Sequence, residues 1–486
     1  MLLVMIALWA LQSTSCNDEL PTFRPWAVTV AKPRGVSRIR HQPRILLAAA
    51  SPPPAEKVSV MATQLSIVKG IVGAGIFSLS VGLVTGPGLV PACALAVILG
   101  AASAWTFYLV GRAAADTGCT TNKELWAHTV GADSAWLYDF FVAVLCLGGL
   151  MQFTATMSQL VGWVGRWLSH ICFNGGEATS SAGRIIRRLL ADSSYETRLV
   201  LITSLVLPLC LANDLNALRH ATAIGGAGIA YAVILIAVRV MDGSYRPGGI
   251  YASAQALPVT NVWGVNFSGL AAFLGCLNTA FNAHLNIPRF YHEMCAPSAT
   301  GRSQGGATRT SKVALFRHVV FSSFMLAVLA TVIVMACGYL LFGDACDGVL
   351  LNNFAVNDHG AALLRIATLF SVLGVHPITF LGLRDALAPL LVYKLNLLSE
   401  TGLRLLICAS VFALSLLFRD VATIIAVRGV LFGTMVVYCL PCIVHLCSER
   451  GQASGRADRG LHLSLLTYGA LMAVVGTACV LSQRKP

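Results

Sequence analysis

Long apolar runs dominate the sequence and recur from residue 61 to residue 481. A helix needs roughly 17–25 apolar residues to cross the hydrocarbon core of a bilayer. Runs of about this length predict eleven spans, of which the fourth is short and the third is long enough to tilt or bend. They cover residues 61–85, 88–114, 136–168, 198–212, 217–240, 262–292, 315–342, 361–393, 402–418, 421–447 and 461–481.

The pattern within these runs is typical of membrane helices and not of a membrane β-barrel. Backbone N–H and C=O groups find no water in lipid, so each span has to satisfy them internally. The Leu-, Ala- and Val-rich runs also lack the two-residue alternation of barrel strands. We therefore expect an all-α, polytopic membrane protein with about eleven transmembrane helices.

The composition agrees with this fold class. Of the 486 residues, 56% are hydrophobic and only 11% are charged, and the mean hydropathy is +0.73, whereas about a quarter of a soluble domain is charged. The net charge of +13 does not indicate nucleic-acid binding, because basic residues concentrate in particular loops, whereas residues 343–360 carry aspartates and no Lys or Arg. By the positive-inside rule, this asymmetry places the segment before Ile67 inside. The expected partner of these apolar surfaces is the lipid bilayer.

Residues 1–58 are predicted to form a separate N-terminal segment, ahead of a membrane domain over 59–486. "MLLVMIALWALQSTSC" has the apolar core of a signal sequence, and residues 22–54 are rich in Arg and contain no acid. Two interpretations stay open. One is a two-part leader for a plastid of secondary endosymbiotic origin, and the other is a signal anchor followed by a disordered basic arm. The housing membrane (endomembrane, plastid or plasma membrane) stays open with them.

The first span contains an unusual density of glycine. In "IVKGIVGAGIFSLS" (67–80), Gly70, Gly73 and Gly75 fall within six residues. Each glycine weakens a helix by about 1 kcal/mol relative to alanine and permits an unwound turn. Glycines also let membrane helices pack closely, so this span alone leaves both interpretations open.

The sixth span contains a cluster of polar groups at membrane depth. In "FLGCLNTAFNAHLNIPRFYHEM" (273–294), Asn278, Asn282 and Asn286 recur at four-residue spacing, near one face of a helix, with His284 among them. Pro288 cannot donate the helical hydrogen bond to the carbonyl of residue 284. Polar groups in membranes usually face a cavity or a partner, so the whole group favours a binding site.

The positions of these two spans strengthen the interpretation. They are the first and the sixth, which are equivalent places in two five-helix halves of an inverted-repeat transporter. Half-helix N-termini favour an anionic group, while unwound carbonyls favour a cation. A ligand with a carboxylate and an ammonium group fits both ends. We therefore predict that the glycines of the first span expose amides for the carboxylate, while the sixth span supplies carbonyls and side chains.

Four motifs in order resemble the amino acid/auxin permease family, which shares the LeuT-like fold. They are "KGIVGAGIFSLS" (69–80), "FNAHLNIPRFYHEM" (281–294), "YLLFGDACDGVLLNNF" (339–354) and "LRIATLFSVLGVHPITFLGLRDAL" (364–387). The resemblance spans roughly residues 61–482. It implies a 5+5 inverted repeat with broken helices 1 and 6. It also implies secondary active transport of amino acids driven by a proton or sodium gradient.

The resemblance also implies particular substrate contacts. These are the backbone of Gly73, Ala74 and Gly75 in the first span and the side chains of Asn278 and Asn282 in the sixth. Thr368 and Ser371 of the eighth span are further candidates. No acidic residue lies deep in either broken helix to pair with a cationic side chain, which favours a neutral amino acid. No cofactor, metal or catalytic residue is expected.

The coupling ion is predicted from Lys69 and His284. Sodium-coupled members of the family place an asparagine where Lys69 stands, and a charged lysine has only donors and cannot ligate a cation. This favours proton coupling, or a facilitator in which Lys69 replaces the ion. An unperturbed imidazole titrates near about pH 6.5, which makes His284 the leading proton-coupling candidate. Alternatively, Lys69 extends from the helix end to the interface.

Four other classes compete with a proton-coupled transporter. A sodium-coupled carrier and an amino-acid-sensing receptor would both use the same pocket. A membrane enzyme would need an acid/base pair or a metal constellation close in space, and the acids here lie mostly in loops. A channel is disfavoured because nothing indicates a selectivity filter.

Overall fold

A computed structural model describes residues 58–173, 192–211, 218–252, 257–295 and 305–482. Within these ranges, helices occupy all eleven predicted spans. The predicted N-terminal segment, except for Val58, lies outside the described residues, so its role stays a prediction. The spans, numbered in chain order, are span 1 (Val60–Ile71 and Leu79–Thr85), span 2 (Leu89–Thr117), span 3 (Ala135–Phe173), span 4 (Tyr195–Leu211), span 5 (Leu218–Met241), span 6 (Phe267–Ala280 and Ile287–Glu293), span 7 (Gly305–Phe342), span 8 (His359–Ala388), span 9 (Glu400–Leu417), span 10 (Val421–Cys447) and span 11 (Arg456–Ser482).

Among the described residues, eight of the spans are long and apolar enough to cross a membrane, counting the interrupted span 1 as one. The other three are spans 4, 5 and 6. Span 4 has only 17 residues, and Pro208 lies near its end. The apolar part of span 5 runs over Gly225–Met241, and span 6 is interrupted. The prediction of an all-helical, multi-pass membrane protein is confirmed.

Spans 1 and 6 lie antiparallel and in contact along their length. Glycines on span 1 let the two backbones approach, because a Cβ atom at these positions would meet span 6 directly. As residue numbers rise along span 1, the residues of span 6 that it contacts fall in number. A Cβ at Gly70 would lie 3.5 Å from Ala283 Cβ, one at Gly75 3.9 Å from Thr279 Cγ2, one at Gly82 2.9 Å from Phe273 Cδ2, and one at Gly86 3.0 Å from the carbonyl oxygen of Gly269. This pairing places the middle of span 1 beside the middle of span 6.

Backbone hydrogen bonds also join the two spans at one end. The Val58 amide donates to the Glu293 carbonyl at 2.8 Å, and the Cys295 amide donates to the Val58 carbonyl at 2.9 Å. At the other end, Pro87 and Val265 form an isolated antiparallel bridge. The pairing is therefore fixed beyond both ends of span 1.

Spans 3, 8 and 10 complete the surroundings of this pair. Span 8 packs against spans 3 and 5, and the first part of span 10 packs against spans 3 and 6. Gly429 of span 10 approaches span 6 so closely that a Cβ atom there would lie 1.7 Å from the Gly275 carbonyl oxygen. Only glycine fits this contact, which fixes the first turns of span 10 against span 6.

Arg365 of span 8 holds the loop that precedes the span. Its guanidinium donates to the carbonyl oxygens of Leu351 at 2.8 and 3.1 Å and of Phe354 at 2.6 Å. Its other side lies over the Trp163 ring, 4.7 Å from the centroid. Because the loop carbonyls take up these donors, this family-motif arginine stabilises structure and does not face a ligand.

Candidate functional site

Span 1 breaks at the predicted glycines. Its first helix ends at Ile71. The next residue, Val72, has left helical geometry with φ and ψ of −85° and 81°, and Gly73 is extended at −108° and −167°. A short 3₁₀ turn over Ala74–Ser78 then leads into the second helix. The first N–H groups of a helical segment have no partner within it. A Cβ at Gly73 would have nothing within 4 Å, so this backbone borders open space.

Span 6 breaks at the corresponding place, as predicted. Its first helix ends at Ala280, a 3₁₀ turn covers His284–Asn286, and Pro288 stands in the first turn of the second helix. The carbonyl freed by the proline does not stay open for a cation. The side-chain nitrogen of Asn122 donates to it at 2.9 Å, and to the Leu285 carbonyl at 2.8 Å.

Asn122 belongs to a short helix, Asn122–Thr129, that lies between spans 2 and 3. A capping box fixes its start, because the Thr121 hydroxyl accepts from the Glu124 amide at 3.1 Å and the Glu124 carboxylate accepts from the Thr121 amide at 3.2 Å. This satisfies two donors that the helix leaves open. Asn122 was not predicted from the sequence, where its signal was only an asparagine in a polar stretch between two apolar runs.

His284 is buried beside the break of span 6, with 2% of its surface exposed. Its Nε2 lies 3.1 Å from the Thr106 hydroxyl of span 2. Its ring meets Phe107 edge-on at a centroid distance of 5.4 Å. Among the residues that the structure describes, its Nδ1 has no hydrogen-bond partner. One ring nitrogen therefore makes no hydrogen bond to these residues.

The two predicted asparagines of span 6 differ in their surroundings. Asn278 is fully buried, its amide nitrogen donates to Tyr468 at 3.2 Å, and its amide oxygen accepts from Tyr438 at 3.4 Å. Both groups of this amide are thus engaged. The side-chain oxygen of Asn282 is buried without a hydrogen-bond partner in the described part of the chain. Of the pair, Asn282 keeps an acceptor for a ligand.

Lys69 and Ser371 meet at span 5. A Cβ atom at Gly225 would lie 2.4 Å from the Ser371 hydroxyl and 3.0 Å from the Lys69 ammonium nitrogen. The ammonium group therefore lies between spans 1, 5 and 8 in a half-buried position and does not extend away from the bundle. Thr368, three residues before Ser371 on the same span, is buried.

A second cationic side chain lies near the break of span 1. Arg428 of span 10 donates to the Gln152 side-chain oxygen at 2.7 Å. Its stem lies over Gly148, where a Cβ would be 3.2 Å from Arg428 Cδ, and the Gln152 nitrogen is 3.8 Å from a Cβ placed at Gly75. Gln152 thus connects Arg428 to the unwound backbone. The sequence analysis missed Arg428, although a single arginine inside an apolar span was the signal.

One group of His and Asp side chains in the described residues is close enough to consider for a metal ion. It comprises His445, Asp458 and His462, where spans 10 and 11 meet. His462 Nδ1 lies 2.6 Å from the Asp458 backbone carbonyl, and its Nε2 accepts from Trp105 at 3.4 Å. Both of its nitrogens are engaged, so this arrangement does not fit a metal ion.

A sequence model of the family described as "Transmembrane amino acid transporter protein" matches residues 56–482. The chain belongs to this transmembrane amino acid transporter family. This confirms the family that the four motifs predicted. It also establishes the chain as an integral, multi-pass membrane protein.

Two relatives show how distant the similarity is. Amino acid transporter AVT1E of Arabidopsis thaliana is 21% identical over 279 residues, which are 57% of this chain and 48% of that protein. A Mus musculus protein, by name a provisional sodium-coupled neutral amino acid transporter 11, is 23% identical over 219 residues, 44% of this chain and 45% of that one. The chain spans about half the length of these relatives.

Solved structures of similar fold support the arrangement of the helices. The inward-facing structure of Mhp1 has a TM-score of 0.51 and 11% identity, and covers 88% of this chain and 92% of Mhp1. A closed structure of Mhp1, a nucleobase-cation-symport-1 family transporter, has a TM-score of 0.52, also at 11% identity, and covers 88% and 91%. At such low identity the likeness shows the fold alone, which is the LeuT-like arrangement that the broken spans predicted.

Proposed function

We propose that this protein is a secondary active transporter that moves amino acids across a membrane by alternating access. The observation that carries the proposal is that the breaks of spans 1 and 6 lie side by side. There, the first N–H groups after Gly73 have no partner within their own turn, and the Asn282 oxygen has no partner among the described residues. Donors for a carboxylate and an acceptor for an ammonium group thus occur together. The names of the relatives support an amino acid as the ligand.

We further propose that transport is coupled to protons and not to sodium. Lys69 stands between spans 1, 5 and 8, with its ammonium nitrogen close to Gly225 and Ser371. A charged lysine offers only donors, and its positive charge disfavours a metal cation beside it. His284 is the second candidate because its Nδ1 is not engaged by the described residues.

The decisive experiment is uptake of labelled amino acids into proteoliposomes that contain the full chain. Uptake is compared under a pH gradient, under a sodium gradient and with neither. We expect a pH gradient to drive uptake, and we expect Lys69→Gln to reduce it about tenfold or more. Lys123→Gln is the matched control, because Lys123 is exposed and pairs with Asp139 near the end of span 3.

The other outcomes assign the remaining classes. Uptake driven by sodium would keep the transporter proposal and overturn proton coupling. Uptake without either gradient would indicate a facilitator. Binding of amino acids without uptake under any condition would favour a sensing receptor on the same fold.

A further inference from the structure

We propose that Arg428 binds a second carboxylate of the substrate, so that the transported amino acids are acidic. This inference rests on the proposed function, because it assumes that an amino acid occupies the space between the two breaks. It assigns the substrate class through a residue that belongs to neither broken helix.

Arg428 differs from a structural arginine of the same bundle. Arg365 is fully buried and donates to the carbonyl oxygens of Leu351, Phe354 and Ala355. Arg428 donates to Gln152 alone, and its Nε is buried without a hydrogen-bond partner in the ranges that the structure describes. A guanidinium has five N–H donors, so most donors of Arg428 are unused by these residues.

The charge of Arg428 is also not compensated by the described residues. None of their carboxylates forms a salt bridge with it, whereas Arg239 pairs with Asp358 at 2.7 Å and Arg450 pairs with Asp116 at 2.5 Å. An unpaired charge at membrane depth is expensive, and such residues usually pair or face a ligand path. An anionic group from a ligand would supply both the missing charge and the missing acceptors.

The position of Arg428 fits a second carboxylate on the same ligand. Its guanidinium is one hydrogen bond from Gln152, and the Gln152 side-chain nitrogen would lie 3.8 Å from a Cβ atom placed at Gly75, at the break of span 1. The two anion-binding elements are therefore separated by a single glutamine side chain. Aspartate and glutamate carry two carboxylates, which would supply one anionic group to each of these elements. A guanidinium binds a carboxylate with two parallel hydrogen bonds.

The neighbouring glycines leave room for this geometry. A Cβ atom at Gly149 would lie 3.5 Å from Arg428 Cζ and 3.6 Å from its Nη2. A larger side chain there would press on the guanidinium itself. Span 3 thus presents a flat backbone surface under the arginine, with Gln152 at its end.

This inference revises the sequence-based preference for a neutral amino acid. That preference followed from the lack of an acidic residue deep in the broken helices. Such a lack disfavours a cationic side chain but does not separate neutral from anionic ones. Arg428 distinguishes the two classes, because a substrate with a neutral side chain would leave the positive charge of the guanidinium uncompensated.

The test compares each acidic amino acid with its amide isostere. Uptake of labelled L-glutamate, L-glutamine, L-aspartate and L-asparagine is measured in proteoliposomes of the full chain. We expect the wild type to favour the acids about tenfold or more, and Arg428→Gln to reduce the acid-to-amide ratio about 30-fold or more. Arg428→Lys keeps the positive charge but loses the planar guanidinium that makes two parallel hydrogen bonds. Its acid-to-amide ratio should therefore fall between those of the wild type and Arg428→Gln. Arg419→Gln, at an exposed arginine that pairs with Glu196, should leave the ratio unchanged.

Each result has a defined meaning. Equal wild-type uptake of glutamate and glutamine, or an equal loss of both in Arg428→Lys, would overturn the inference and leave the transporter proposal standing. Thermal shifts of the wild-type protein with the same four amino acids test recognition even without transport. No uptake together with a larger shift for the acids would contradict transport and support the role of Arg428. If Arg428→Gln does not fold, the wild-type ratios and Arg428→Lys decide.

Discussion

The side-chain nitrogen of Asn122 lies 2.9 Å from the carbonyl oxygen of His284 and 2.8 Å from that of Leu285. These carbonyls lie where span 6 is unwound, and Pro288 removes the helical donor for the first of them. A residue outside the spans therefore satisfies the break. The short helix Asn122–Thr129 thus supports the second helix of span 6, Ile287–Glu293.

Asn122→Ala should destabilise the protein without touching the proposed ligand site. It leaves two carbonyl oxygens without their donor, which costs about 1–3 kcal/mol for a buried polar group. The melting temperature in detergent is the measurement. Asn286→Ala is the control, because Asn286 belongs to the same break but is exposed. Equal melting temperatures of both variants would contradict the supporting role of Asn122.

Gly225→Ala should impair transport far more than Gly226→Ala. A Cβ at Gly225 would lie 2.4 Å from the Ser371 hydroxyl and 3.0 Å from the Lys69 nitrogen, whereas a Cβ at Gly226 would have nothing within 4 Å. We expect at least about a tenfold loss of initial uptake rate for the first variant, roughly 1.4 kcal/mol. Initial rates in proteoliposomes with matched protein content measure this. Similar rates for the two variants would remove the argument that Lys69 is held at span 5.

Arg365→Lys should destabilise the protein although it keeps the charge. A lysine cannot reproduce the planar fork that donates to Leu351 and Phe354. With several bonds to a charged group lost, we expect about 2–4 kcal/mol and a clearly lower melting temperature. Arg384→Lys serves as the control, since Arg384 pairs with its exposed neighbour Asp385. A stable Arg365→Lys variant would show that the loop is held by other contacts.

The capping box of the short helix should make part of the stability depend on pH. Burial alone would raise the pKa of Glu124, but hydrogen bonds from Thr120 and Thr121 outweigh it and hold the pKa below its usual value of 4.5. The folded state therefore favours the ionised form. Its contribution is complete above the pKa of the unfolded chain and is lost as the pH falls through the lower pKa of the folded chain.

Glu124→Gln tests this dependence. The variant should melt slightly below the wild type at neutral pH, by less than about 1 kcal/mol for an exposed group, and the difference should shrink as the pH falls below 4.5. Glu449→Gln, at another exposed glutamate, is the control. A difference that grows towards acid pH would contradict the sign of the shift.

Much of the fold could be predicted because membrane helices are recognised from length and hydropathy alone. The breaks at Gly73 and before Pro288 could also be predicted, since glycine and proline act on their own backbone. Such local signals need no knowledge of the neighbours of a residue.

The partners of the polar residues could not be predicted from the sequence. Asn278 and Asn282 are equivalent in the sequence pattern, yet only Asn278 meets Tyr438 and Tyr468. Asn122 lies 162 positions from His284, and Arg428 lies 276 positions from Gln152. Contacts over such separations depend on helix packing, which no local pattern encodes.

The antiparallel pairing of spans 1 and 6 has a consequence for how the chain is made. Span 1 is synthesised about two hundred residues before the span against which its glycines pack. When span 6 then emerges, Tyr438 and Tyr468, which later bind Asn278, have not yet been translated. The side-chain amide of Asn278 therefore has to enter the membrane before its final hydrogen-bond partners exist. The hydrogen bonds around the break of span 6 are thus complete only when the last helix of the chain arrives.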